Sequence, residues 1–195
     1  SDKSNDVLSS IEIPDEIKLS LNKIYNIDFS DKQWFEKISV QELDESKLIN
    51  IDKSVFQVKF ISSNKKFVSV KYLKNNLSQV EFDQLEAIKN HIAYLFIKDS
   101  NLSDNSLLNF LNLKNLVSLD IQKNSISDEG VKTLQKLENL EVLNLYGTKI
   151  SKNSLEIIES FKNLKRVYVW DTKISKKDLE SFNRNNSSIE LVGGI

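Results

Sequence analysis

The sequence predicts an α/β solenoid in which short parallel strands and helices alternate along the chain. Two observations carry that reading. A 24-residue pattern is written out four times: IAYLFIKDSNLS from Ile92, LVSLDIQKNSIS from Leu116, LEVLNLYGTKIS from Leu140 and LKRVYVWDTKIS from Leu164. Every apolar slot also keeps its place from copy to copy. The first slot is Ile92, Leu116, Leu140 and Leu164, and the second Leu95, Leu119, Leu143 and Val167. The third is Ile97, Ile121, Leu145 and Val169, and the fourth Leu102, Ile126, Ile150 and Ile174. Self-similarity at a fixed period, with no insertion, marks units that stack in one dimension.

Each copy makes the same physical sense. Alternation across YLFI, SLDI, VLNL and RVYV gives one short parallel strand with Leu and Ile on its inner side. A serine then closes every motif, at Ser103, Ser127, Ser151 and Ser175, where a hydroxyl accepts from orphan N–H groups of a helix's first turn. The segments that follow repeat their own apolar slots: Leu107, Val131, Leu155 and Leu179, then Phe110, Leu134, Ile158 and Phe182. Asn115, Asn139 and Asn163 precede the later strands and suit a helix-to-strand turn. A period of 24 with L-x-x-L-x-L-x-x-N-x-L at its centre is the leucine-rich repeat signature. The expected fold is therefore a leucine-rich repeat solenoid of about four repeats, strands concave and helices convex, with an irregular α+β N-terminal cap.

In chain order, residues 1–10 (SDKSNDVLSS) lack periodicity and read as a flexible tether. That is either a frayed terminus or the segment following a lipidated cysteine. Pro14 suits the first turn of a helix, with Asp15 and Glu16 placed against its dipole and Ile17, Leu21 and Ile24 on one face. Ser30 with Gln33 resembles a capping box before Trp34 and Phe35, and Trp34 reads as a core anchor. Phe56, Val58 and Phe60, then Val68, Val70 and Tyr72, alternate on either side of a turn-like SSNKK and predict a hairpin. The alternative makes 67–73 a degenerate repeat strand, since Val68 precedes Ile92 by 24, at the cost of putting Lys71 in an apolar slot. Phe82, Leu85 and Ile88 supply a helical face leading into the first clear copy. Residues 11–91 form the N-terminal cap on this reading and 92–195 the repeats. After Phe182 the pattern loosens to NRNNSS, and Ile189 and Leu191 predict a closing strand ending in Gly193-Gly194.

Composition bounds the chemistry. At 195 residues, 39% hydrophobic and 28% charged, the chain buries a core rather than staying disordered. A net charge of −1 argues against a nucleic-acid partner. The longest apolar runs fall short of a bilayer span. No cysteine is present, so disulfides, thiolate metal sites and haem attachment are excluded on this chain. The absence of methionine, initiator included, predicts a chain that begins after a cut or is an excised piece. The only histidine, His91, stands where Asn115, Asn139 and Asn163 stand later and reads as a turn residue. Asp15–Glu16, Asp44–Glu45 and Asp128–Glu129 are adjacent acids that serve helix starts and face solvent. With no phosphate loop, metal motif or nucleophile set, the sequence predicts no enzyme, no cofactor and no metal.

The candidate site is the concave face. The side chains alternating with the core slots are Tyr94, Phe96 and Lys98; Ser118, Asp120 and Gln122; Val142, Asn144 and Tyr146; and Arg166, Tyr168 and Trp170. Five of these twelve are aromatic, and tyrosine, tryptophan and arginine are the types enriched where proteins bind proteins. All but Ser118 and Val142 are predicted to contact a partner. The other reading is that these rings pack on one another as scaffold.

The run LNLYGTKIS…LKRVYVWDTKIS…IELVGGI resembles the C-terminal leucine-rich repeat region of bacterial membrane proteins that also carry a planctomycete-type cytochrome c domain. There an LNLYGT repeat precedes an LYLWQT repeat, and the region closes on Gly-Gly. The resemblance covers 80–195 and extends weakly over 50–80. It implies a periplasmic or cell-surface domain of Bacteroidota-like or Planctomycetes-like bacteria, either excised from such a protein or standing alone as a lipoprotein. The expected function is then a non-catalytic protein-interaction module docking a cell-envelope partner, with any membrane contact made through a missing anchor. The alternatives are an accessory structural domain of a c-type cytochrome membrane protein and a glycan-binding surface lipoprotein.

Overall fold

The computed structural model describes residues 40–61, 65–186 and 188–193. The expected tether, the helix at Pro14, the Ser30–Gln33 capping box, Trp34, Phe35 and Gly194 lie outside the described residues. The chain divides after Ser39, and the described residues all belong to the second unit, Val40–Ile195.

One sheet organises this unit. Its strands are β1 (Phe56–Phe60), β2 (Val68–Tyr72), β3 (Ile92–Phe96), β4 (Ser118–Asp120), β5 (Val142–Asn144), β6 (Arg166–Tyr168) and β7 (Glu190–Val192), side by side in chain order. β1 and β2 are antiparallel and every later pair is parallel. From β3 to β7 the register advances by 24 residues per strand, pairing Leu95 with Leu119, then Leu143, Val167 and Leu191. Helices α1 (Gln79–Asp83), α2 (Asp128–Leu134), α3 (Ser154–Glu159) and α4 (Lys176–Asn185) lie between strands. Leu107, Phe110, Val131, Leu134, Ile158 and Phe182 join the strand residues Leu95, Leu119, Leu143 and Val167 in one buried cluster. The helical segments therefore back the face that carries the second apolar slot. Among the described residues no helix is long and apolar enough to cross a membrane.

Both readings of residues 67–73 meet in β2. It is the second arm of the hairpin, with Phe56 opposite Tyr72, and also the first parallel neighbour of β3, with Val68 opposite Ile92. A register shift after Val68 sets Val70 beside Leu95 and Lys71 beside Phe96. The bulge removes the objection to the repeat-strand reading, because Lys71 shares a row with Phe96 and Val70 takes the core slot. A one-residue slip exchanges the two faces of a strand.

The segment after Ser103 departs from expectation. Asp104–Asn112 winds as a 3-10 helix rather than an α-helix. Asn105, Ser106, Asn109 and Asn112 bring side chains that compete for backbone bonds, which weakens α-helical preference. The serine caps take several forms. Ser127 and Ser175 accept from Glu129 N–H and Asp178 N–H at 3.3 and 3.1 Å. Ser151 accepts from Asn153 N–H at 3.2 Å, one residue ahead of α3. At Ser103 the Ser106 hydroxyl accepts from the serine's own N–H.

Side chains reaching across to the preceding strand–helix unit hold the stack together. Asn115, Asn139 and Asn163 donate to the carbonyls of Asn90, Lys114 and Glu138 at 2.7, 2.8 and 2.7 Å. These asparagines bridge units rather than closing a local turn. His91 does the same work, its Nδ1 lying 2.9 Å from Lys66 O, which makes Nδ1 the donor. Asn124 is buried, accepts from the N–H groups of Ser100 and Leu102, and donates to the carbonyls of Ile97 and Ile121. Just after each of β3 to β6 the chain takes a left-handed residue: Asp99, Lys123, Gly147 and Asp171, with φ of 47°, 55°, 65° and 51°. Only Gly147 does so without steric cost.

A second bridge uses two aspartates, of which the sequence assigns Asp128 to a helix dipole. Asp104 accepts from Ser127 N–H and hydroxyl at 2.8 and 2.5 Å, and Asp128 from Ser151 N–H and hydroxyl at 2.8 and 2.7 Å. Asp128 thus reaches into the following unit instead of facing solvent. Position 152 is lysine, so the series stops there. Gly130 is the counterpart of this bridge: a Cβ there would run into Asp104 Oδ1 and stand 2.8 Å from Ile126 Cγ2. An exposed helical Gly→Ala change stabilises by about 1 kcal/mol. Gly130→Ala is expected to reverse that sign and destabilise by about 1–3 kcal/mol through overpacking, read as a lower urea midpoint at unchanged slope.

Candidate functional site: the face opposite the helices

Strand pairing arranges the predicted site residues in rows. Tyr94, Ser118, Val142 and Arg166 are successive partners across β3 to β6, and so are Phe96, Asp120, Asn144 and Tyr168. Lys98, Gln122, Tyr146 and Trp170 follow just beyond the strands. There the bonds Asp99 N–H to Gln122 O, Lys123 N–H to Tyr146 O and Gly147 N–H to Trp170 O, at 3.0, 2.7 and 2.9 Å, keep neighbouring units in step. Alternation places all of these opposite the core face.

The face is far less open than alternation alone suggests. Tyr94, Asp120, Gln122, Asn144 and Tyr168 are buried, at 2–6% relative exposure. Ser118 and Val142 are buried with them. Phe96, Lys98, Tyr146, Arg166 and Trp170 are half-buried. The ten predicted contacts therefore divide into a buried set and a half-exposed set.

The buried set holds a polar network. Asp120 accepts from Gln122 N–H at 3.1 Å and from the Gln122 amide at 3.1 and 2.9 Å. Asn144 accepts from Tyr146 N–H at 3.0 Å, the same two-residue bond one strand along. Burial pushes the Asp120 carboxyl above its ordinary range, against the pull of the Gln122 and Asn144 bonds and of Lys98. Gln122 Oε1 is buried without a hydrogen-bond partner. Burial also drives the Tyr94 and Tyr168 hydroxyls up.

The half-exposed set is aromatic and basic. Trp170 stacks on Tyr168, with centroids 5.7 Å apart and planes 19° apart. Lys123 stands over the Tyr146 ring at 5.6 Å, within cation–π range. Lys98 is held below its ordinary pKa by burial first and then by repulsion from Lys123. Arg166, predicted as a rigid donor at the edge of the patch, is engaged by Glu190, with Nε and Nη2 at 2.8 and 2.7 Å from the same carboxylate oxygen.

Among the described residues the adjacent acids Asp44 and Glu45 are structural. Asp44 accepts from Ser46 N–H at the start of a 3-10 turn, and Glu45 pairs with Lys65. Among the described residues no group of three His, Asp or Glu side chains is placed to hold a metal ion. Sequence reasoning missed Asn124, Asp104 and Asp128 as bridging residues. A signal existed for each: Asn124 fills the motif's N position, and Asp104 and Asp128 share one place 24 residues apart.

Comparison with known families bears on the same region. A family model described as Leucine Rich Repeat matches residues 139–164, from the bridging Asn139 through β5 and α3. The chain contains a leucine-rich repeat region. No curated protein matches the chain. Within the leucine-rich repeat region, Leu140, Leu143, Leu145 and Ile150 are fully buried, while Tyr146 stays half-exposed on the other face.

Two outcomes test the bridging aspartate and the buried part of the face. Asp128→Ala removes the acceptor of three bonds, from Ser151 N–H, Ser151 Oγ and Ser154 Oγ, and is expected to cost about 1–3 kcal/mol at pH 7. Burial raises the Asp128 carboxyl, but these bonds and Lys173 outweigh it and leave the pKa below its ordinary value. A depressed folded-state pKa stabilises above the unfolded value near 4, and that contribution fades as pH falls through the folded value. Denaturation of both proteins from pH 7 to 3 is therefore expected to show the gap closing on the acid side. Tyr168→Ala, with its ring 2% exposed, is expected to lower stability by about 3–5 kcal/mol in a thermal or urea melt.

Proposed function

We propose that this protein is a non-catalytic protein-interaction module whose partner docks on the sheet face opposite the helices, the concave face of the expected solenoid. Leucine-rich repeat regions generally serve protein–protein contact, and 139–164 is such a region. The observation that carries the reading is the half-buried pair Tyr146 and Trp170. Both follow their strands by two residues and stand in adjacent units, one strand spacing of about 4.8 Å apart. Partly exposed aromatic rings on a rigid backbone supply contact area at low entropic cost. The bacterial cell envelope is the setting this proposal adopts, on the strength of the LNLYGT and VYVWDT runs.

Burial separates anchor from scaffold within the site. Tyr168 is buried and stacks on Trp170, while Tyr146 and Trp170 stay half-exposed. Phe96 and Lys98 continue the half-exposed ground toward β2, and Asp120, Gln122 and Asn144 set the floor. Tyr146→Ala combined with Trp170→Ala is expected to leave the fold in place, with a cooperative melt retained. Capture of an envelope partner from a native extract should fall more than tenfold, about 1.4 kcal/mol, the scale of a modest hot spot. A folded double variant that captures the same partner at full strength would move the docking surface off this face.

A further inference from the structure

Strands β3 to β6 each hand hydrogen bonds to the strand that follows. The direction of bonding alternates along the chain: Tyr168 O accepts from Leu145 N–H of the preceding unit, and Val169 N–H bonds Val192 O of the following one. In β7, Glu190 bonds back to Lys165 O and Val192 O accepts from Val169, so both face β6. Leu191 lies between them, and its backbone groups point away from β6. Among the described residues no eighth strand is present to meet them. Such an edge is a template for strand addition.

Leu191 is met by one side chain. Asn183, exposed on α4, donates from Nδ2 to Leu191 O at 2.8 Å and accepts from Leu191 N–H at Oδ1 at 2.9 Å. A primary amide carries the same donor and acceptor as a peptide group, so this pair reproduces what a neighbouring strand would make. The connection out of α4 is also fixed: Asn186 Oδ1 accepts from Ser188 and Ile189 N–H at 3.0 and 2.9 Å, delivering β7 against the helix. Leu191 keeps its side chain in the core throughout, at 2% exposure.

We propose that Asn183 is an edge lock, a side chain that occupies the outward peptide position of β7 and prevents strand pairing there with a second copy of this chain. The competing association has a defined geometry. Two β7 strands related by a two-fold axis can pair antiparallel through Leu191 with Leu191, a register in which the outward N–H and carbonyl of each leucine exchange bonds with those of the other. That register sets Glu190 of one copy opposite Val192 of the other.

The test uses this register. Asn183→Leu keeps side-chain size on an exposed helix position and deletes both bonds. The full chain carrying it is expected to melt cooperatively, and to exchange the Leu191 amide proton at least tenfold faster than the unaltered protein under dilute conditions. By sedimentation it should self-associate as concentration rises over a range where the unaltered protein does not. Adding Val192→Glu places like charges opposite one another across the two-fold axis and is expected to abolish the association while leaving the faster dilute exchange. An Asn183→Leu protein that stays monomeric with Leu191 still protected would overturn the proposal. So would association that persists in the double variant, since the added leucine would then be acting as a surface patch.

Discussion

A strand of three residues cannot hold itself in water, and every strand from β4 to β7 has that length. The fold therefore depends on one constraint: each unit must find its backbone partners in the units beside it. Asn124 meets it inside the stack, joining two successive turns through bonds to Ser100, Leu102, Ile97 and Ile121. Asn115, Asn139 and Asn163, with His91, meet it where the chain enters each strand. Asp104 and Asp128 meet it on the helix side. The bonds are individually modest, near 1 kcal/mol net, and their value lies in fixing the register that the apolar slots then fill.

The same constraint shapes the candidate site. Stacking at a fixed step carries a side chain on one strand directly beside its counterpart on the next, so rows of like position form without any loop to arrange them. Within one unit, neighbouring rows then meet: Gln122 donates to Asp120, and the rings of Tyr168 and Trp170 stack. Tyr146, Trp170, Phe96 and Lys98 remain half-exposed on this face.

Inside the array, the backbone groups at the Leu143 and Val167 positions find the next strand; at Leu191 they find the Asn183 amide. In sequence that residue sits in NRNNSS, which reads as loss of pattern. Its role appears only when α4 folds back on β7.

By itself the sequence determined the strand positions, the core slots and which side chains face away from the helices. These follow from periodicity, and periodicity is local: a Leu every 24 residues and alternation within a strand need no knowledge of the rest of the chain. It also placed His91 as the positional equivalent of Asn115, Asn139 and Asn163, though as turn residues rather than as bridges between units. Tertiary structure alone decided the features that depend on what lies one unit away. The bulge after Val68 moved Lys71 out of the core row, because strand pairing rather than residue spacing sets register. Asp128 turned from the helix dipole to Ser151, because a carboxylate gains more from three directed donors than from a diffuse field. Burial of Tyr94, Asp120 and Tyr168 was equally out of reach, since alternation names the face a side chain points to, and only packing says how much water reaches it.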